Sequence, residues 1–327
     1  MKREDALINF NEEYTNELLN KYEQIFYEDV IENKDLLRST VMDSLKNICE
    51  DISDFQNELE YYKIKYFQFS ILRTSIISES YIFLLSTYNQ EWYLDDNAKH
   101  MELDMSFLFK SLKNLYNELY QKSKKFIGKI NKYDIEKIIL SQAMKYNEYI
   151  AYTVRFILQN IEKEEWFDKV KKTDIYFIRW GEYQDKSELV YIMDNNKKTM
   201  NDFIKVLGLT NEEAHKDELV YSVWKDTEIS DVICIEKNMM FSNFKNSKIS
   251  NLSFEKSILL GASFENAILQ NVNFNKTNLV GVNFIGVKFE DVKFEEAILD
   301  GAIFNQEDVP FLHLSSSQLQ VIYIKGD

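Results

Sequence analysis

The stretch LSFEKSILLGASFENAILQNVNFNKTNLVGVNF, residues 252–284, sets a large apolar side chain at every fifth position. The beat extends both ways, through Phe244, Ile249, Phe254, Leu259, Phe264, Leu269, Phe274, Leu279, Phe284, Phe289, Phe294, Leu299 and Phe304, without a miss. Two residues before each stands mostly a small or β-branched side chain, as at Ser257, Ala262, Ala267, Val272, Thr277 and Val282. A period of five suits neither a helix at 3.6 nor a simple strand at 2, so the path must change direction regularly. A stacked coil provides that path: the large residue and the small one face the axis, and the other three turn a corner into solvent.

Val272-Asn273-Phe274, Thr277-Asn278-Leu279 and Val282-Asn283-Phe284 resemble the pentapeptide-repeat family, whose unit is a small residue, Asp or Asn, Leu or Phe, then two variable residues. The match is looser where Lys248, Ile258, Ile268, Lys288, Lys293, Ile298 and Ile303 replace the Asp or Asn. The resemblance implies a right-handed, quadrilateral β-helix with four pentapeptides per coil. The residues support that shape, because Phe recurs every ten positions from 254 to 304 and so lines two opposite walls, while Leu259, Leu279 and Leu299 share a third. Stacked at the ~4.8 Å strand spacing, the repeats make roughly three to three and a half coils, a column about 15 Å tall. Such a column needs caps. Glu307 occupies an inward position and Pro310 follows, so the coil should break there. Ser315, Ser316 and Ser317 ahead of Gln318 offer N-cap chemistry for a short closing helix.

The expected organisation is α+β, with a mainly helical domain over 1–230, the β-helix over 231–306 and a C-terminal cap over 307–327. Leu7, Phe10, Tyr14, Leu18, Tyr22, Ile25 and Val30 keep helical spacing, and Leu37 to Tyr62 continue it in steps of three and four, which reads as a bundle core. KIKYFQFSILRTS and SYIFLLSTY, between 63 and 88, alternate like a β-hairpin turning near Ser78-Glu79-Ser80. Helices are expected at Phe107 to Phe126 and Tyr133 to Glu164, then a second short hairpin turning around Gln184 to Ser187. Two short helices should follow, separated at Gly208, with Thr210 and Glu213 at capping-box spacing for the second.

The formal charge of −15 argues against direct nucleic-acid binding, which rests on clustered Lys and Arg. Within 241–306 seven acids face six lysines, so the acidity belongs mostly to the first 230 residues. Cys49 and Cys234 stand far apart, and neither a signal peptide nor a membrane span is visible; the chain reads as cytoplasmic. His100, His215 and His313 are isolated, and no phosphate loop, nucleophile elbow or HExxH occurs, so no catalytic, metal or cofactor residue is assigned. Glu162, Glu164, Glu165 and Asp168 read as a solvated helix end, and the basic run Lys122, Lys124, Lys125, Lys129 and Lys132 as a solvated loop. Trp180-Gly181-Glu182-Tyr183 and Trp92 to Asp96 are core corners or, as the alternative, the lining of a cleft.

Outward positions should be wet, yet Ile258, Leu260, Val280 and Ile298 fall on one wall at twenty-residue spacing, opposite Ser253, Glu255, Asn273, Asn275, Lys293 and Glu295. Such a patch marks an interface. The tethered first domain is the expected cover, by its high effective concentration, and a second copy in a homodimer is the other. The function read from these residues is a non-enzymatic protein-interaction or scaffold module with a protein partner of unspecified identity and no membrane. The resemblance implies an alternative, since some family members protect DNA gyrase by imitating a duplex. Duplex DNA carries one charge per ~1.7 Å, so a near-neutral column fits that poorly. An enzyme in the first domain is the remaining alternative and requires a deep pocket with convergent ionisable groups.

Overall fold

In the computed structural model, which describes residues 2–326, the two apolar stripes of the N-terminal region form α1 (Arg3–Phe10), α2 (Asn16–Glu32) and α3 (Lys34–Glu58). Their inward faces, including Phe10, Phe26, Leu37, Val41 and Leu45, are fully buried. Next come β1 (Ile64–Ile71), α4 (Arg73–Ile77), β2 (Ile82–Tyr88) and β3 (Lys99–Asp104). β1 and β2 pair antiparallel, with Phe69 opposite Leu85, and α4 fills the connection. Helices return as α5 (Lys110–Ser123) and α6 (Lys132–Ile157), the latter capped by Asn131 and Asp134 in a reciprocal box. A short α7 (Glu165–Asp168) leads into β4 (Lys172–Glu182) and β5 (Ser187–Asp194).

The two expected hairpins are parts of one five-stranded sheet, in the order β3-β2-β1-β4-β5. β1 and β4 join them in parallel, placing Phe67 beside Ile178 and Phe69 beside Trp180. Neither that junction nor β3 follows from local alternation, because a parallel pair is closed by a long crossover whose ends carry no mutual signal.

The chain divides into Met1–Tyr191 and Ile192–Asp327, a boundary that falls inside β5 and not at the expected residue 230, so the segment after β5 groups with the coil. In the second unit α8 (Met200–Leu209) begins at Thr199, whose hydroxyl and backbone N–H both donate to Asp202. Gly208 lies inside α8, and Thr210 donates its hydroxyl to Leu207 O at 2.7 Å instead of capping the next turn. The predicted break and capping box are therefore corrected: α8 carries an apolar face, with Phe203 buried against Trp224, and the glycine is absorbed in its last turn.

The coil follows, with β6 (Glu228–Ser230), β7 (Lys248–Ser253), β8 (Ile268–Asn273) and β9 (Lys288–Glu290) in one parallel sheet. Pairing joins residues twenty apart, as at Ile249↔Leu269 and Leu269↔Phe289. Bridges at the same offset run from Val223↔Asn243 to Asn283↔Ile303, so the column begins earlier than 231 and has a further turn. After β10 (Ile303–Asn305) the chain leaves the coil in the turn Val309–Phe311 around Pro310. It closes with α9 (Ser316–Leu319), capped by Ser315 and Gln318, and β11 (Tyr323–Lys325), which pairs in parallel with β10. The strand within the cap was not foreseen.

Candidate interaction surface

The five-residue beat works because every corner is a left-handed residue. φ is 56–58° at Asp226, Asp231, Glu236, Phe241, Asn246 and Lys256, and positive again at Asn251, Asn266, Asn271, Lys276, Asp291 and Glu296. Gly261, Gly281, Gly286 and Gly301 occupy the remaining corners with φ of 64–69°. Not one of these corners is Val, Ile or Thr, the residues that suffer most in this region. At Gly261 a second constraint acts, since an added Cβ would lie 2.3 Å from the Phe241 ring of the preceding coil.

Inside, rings stack along the axis. Phe244, Phe264, Phe284 and Phe304 lie face to face at 4.9, 5.5 and 4.9 Å, and Phe254, Phe274 and Phe294 at 5.2 and 5.4 Å. The two stacks meet edge to face, as at Phe264 and Phe274, the geometry that aromatic quadrupoles favour. Leu259, Leu269, Leu279 and Leu299 are buried with them, whereas Phe289 is only half-buried. The small row also carries hydroxyls, and these find acceptors: Ser247 donates to Phe244 O at 2.7 Å and Thr277 to Phe254 O at 2.8 Å.

Outside, the four positions singled out as an apolar wall divide in two. Ile258 and Ile298 keep 40% and 50% of their surface exposed, while Leu260 and Val280 are half-buried. Charged side chains on the other walls pair between coils, Lys245 with Glu265 at 3.3 Å, Lys256 with Glu236 at 3.4 Å and Lys276 with Glu296 at 3.9 Å. One corner holds an amide ladder, where Asn251 Nδ2 donates to Asp231 and Asn271 Nδ2 donates to Asn251, both at 2.9 Å.

The matching pattern now has a family. Residues 238–275 and 267–306 match the family model for pentapeptide repeats, in eight copies. The C-terminal segment is a run of pentapeptide repeats. The match does not reach the N-terminal part, and no curated protein matches the chain. Solved pentapeptide-repeat structures are similar to part of the chain. One from the thylakoid lumen of Arabidopsis thaliana has 19% identity, 31% of this chain and 70% of its own length covered, and a TM-score of 0.17. One from Nostoc PCC 7120 has 11% identity, 40% and 99% coverage and a TM-score of 0.21. The plasmid-mediated fluoroquinolone resistance protein QnrB1 has 16% identity, 32% and 64% coverage and a TM-score of 0.14.

The other sequence candidates sit in the first unit. Asp95 is buried and accepts from Tyr62 Oη at 2.6 Å and from the backbone of Asn89 and Asn97, so the Trp92–Asp96 cluster is a structural corner. Glu162 and Glu164 accept from Tyr191 Oη and Trp166 Nε1. Lys125 donates to Tyr14 Oη at 3.1 Å and Lys132 pairs with Glu136. The Trp180–Tyr183 segment does border a cleft of about 540 Å³, with Glu148, Tyr152, Arg155 and Glu188. Its strongest groups are already engaged: Arg155 pairs with Glu188, Glu182 with Arg73 at 2.5 Å, and Trp180 Nε1 donates to Asn147 at 2.7 Å. Burial pushes the Cys49 and Cys234 thiols up to about 12, away from nucleophilic use. Among the described residues no cluster of three His, Cys, Asp or Glu is placed to hold a metal ion, and no helix is long and apolar enough to cross a membrane.

Proposed function

We propose that this protein is a non-enzymatic, cytoplasmic interaction or scaffold module, and that its repeats form a right-handed, four-sided β-helix presenting one wall to another protein. The observation that carries this reading is the wall itself. Ile258 and Ile298 stand in solvent on one line of the column with Asn278 between them, and Leu260 and Val280 lie half-buried two residues farther along the chain; a grouped apolar strip of this kind is what an interface uses. A second copy of the chain is the first partner to test, because an uncharged strip complements itself across a twofold axis. The duplex-mimic alternative is disfavoured by the column's charge, since its lysines nearly balance its acids, three of them pairing between coils, whereas a duplex carries one charge per ~1.7 Å.

Sedimentation of the full chain, with a pull-down from its native cell extract, tests the reading. Replacing Leu260 and Val280 with Lys is expected to dissociate an oligomer or release the captured partner. Unchanged mass, unchanged capture and unchanged melting would refute it. DNA supercoiling by gyrase is expected to be unaffected by added protein; clear inhibition or drug protection would favour the alternative.

A further inference from the structure

Most of the last coil is closed by the chain itself. β11 lies along β10, Gly301 N–H donates to Val321 O at 2.8 Å, and Gln318 Nε2 donates to Phe294 O and Ala297 O at 2.8 and 2.9 Å. The face carrying β9 is different. β9 is the last strand of its sheet, and where the twenty-residue register calls for a strand beside Phe289, the chain forms the turn Val309–Phe311 around Pro310, which packs Val309 against the core but does not pair with β9. Phe289 is consequently half-buried, whereas Ile249 and Leu269 in the same stack are buried.

The open edge has a defined polarity. In this sheet the N–H groups of Lys248, Ile268 and Lys288 point back to Thr227, Ser247 and Ala267 at 3.0, 2.9 and 2.9 Å, while Asp231 N–H points forward to Ser250 O at 3.1 Å. Alternation along a parallel strand therefore turns the N–H and C=O of Phe289 and the N–H of Asp291 toward the unfilled side. A cavity of about 590 Å³ lies there, with Phe289, Val292, Phe311 and Leu312 as apolar lining and Asp291 and His313 among its polar groups. Phe311 is 79% exposed. The amide ladder of Asp231, Asn251 and Asn271 runs toward the same edge, and its next rung is the Asp291 carboxylate. No donor among the described residues reaches that carboxylate, which can only accept.

We propose that this groove receives an extended peptide of another protein as the next parallel strand against β9. The guest places a large aliphatic side chain on Phe289 and, two residues later, an Asn, Lys or Arg whose donor meets Asp291. The aliphatic position is set by the stack, where Ile229, Ile249 and Leu269 precede Phe289. The donor is set by the ladder, whose exposed end is an acceptor and a negative charge. Main-chain bonds supply affinity in such strand addition and the side-chain positions supply selectivity. The groove is separate from the isoleucine wall and stands or falls without it.

The probe is a fluorescent peptide with the chain's own β7 sequence, NSKISNLSFE (residues 246–255), titrated against the full-length protein. Saturable binding is expected with Kd on the order of 10–500 μM, as for a short, initially disordered strand. A peptide carrying Ile249→Lys should bind at least about tenfold more weakly, and Asp291→Ala in the protein should weaken the parent peptide about three- to tenfold. Hydrogen exchange should slow at the amides of Phe289 and Asp291. Because the first comparison changes only the peptide, it does not depend on how a protein variant folds. No saturation by about 1 mM, equal binding of the Ile249→Lys peptide, or protection elsewhere than at Phe289 and Asp291 would overturn the proposal.

Discussion

The column and the mixed sheet solve the same packing problem with different information. In the column each inward side chain meets the residue twenty positions away, Phe264 lying between Phe244 and Phe284, so a neighbour is known from position alone. In the sheet, Phe69 meets Leu85 on one side and Trp180 on the other, at separations that share no rule. Repetition turns tertiary contacts into a local code. The same repetition makes the column vulnerable, because a fault in one coil is felt by both neighbouring coils and by the facing stack, as Phe264 meets Phe244 and Phe284 along the axis and Phe254 and Phe274 edge-on.

Phe264→Ala tests this most severely. The ring is fully buried between two stacked partners and edge-on to Phe254 and Phe274, and its removal is expected to cost about 3–5 kcal/mol. Trp224 is the only tryptophan in the second unit, so its fluorescence reports the column during denaturant unfolding. Phe69→Ala, which strips a ring stacked on Trp180 at 4.8 Å, is the matched change in the sheet. If Phe264→Ala costs less than about 1 kcal/mol, the column relaxes around faults and the contrast fails.

Next come the corners. Gly261→Ala would press its methyl into the Phe241 ring at 2.3 Å while holding φ near 66°, and a loss of about 2–3 kcal/mol is expected from clash and strain together. Lys256, at φ 58° with an exposed side chain, separates the two causes. Lys256→Val should cost about 1–2 kcal/mol, chiefly by strain, whereas Lys256→Asn, which loses the same exposed pair with Glu236, should be close to neutral. Thermal melts of the three variants give the order, and a harmless valine would remove the left-handed corner from the account of the repeat.

Those corners also show how much more the sequence contains than its family pattern. The apolar beat continues back through Leu219, Trp224, Ile229, Cys234 and Met239, all buried, and the left-handed row through Tyr221, Asp226, Asp231 and Glu236. Cys, Met and Trp do not look like pentapeptide residues, so composition hides the first turn that spacing reveals. Helices of the first unit are legible from their stripes, and Ser315 as the cap of α9 from its side-chain chemistry. The parallel joining of β1 to β4, by contrast, depends on chain far apart. The groove beside β9 is half legible: Pro310 and Glu307 announce that the coil stops, but which wall stays open depends on where β11 and Gln318 come to rest.

The smallest expected effect belongs to the first unit and turns on a single buried amine. Lys172 opens β4, donates to Phe167 O and to Val170 O at 2.8 Å, and lies 4.5 Å from the Phe167 ring centre. Burial pulls its pKa down to about 8, outweighing the nearby Asp168 carboxylate that acts the other way. In the unfolded chain a lysine titrates near ~10.4. Between these values the unfolded state holds more protons than the folded one, so stability rises with pH across the window and is lowest below it. The carbonyl acceptors and the ring favour the ammonium, which limits the gain to roughly 1 kcal/mol between about pH 7.5 and 9.5. Urea unfolding of the wild type should show that rise, and Lys172→Met should be flat over the same range. A wild-type curve that falls, or one that the methionine variant reproduces, would mean that the buried amine stays charged and that its carbonyl cage outweighs desolvation.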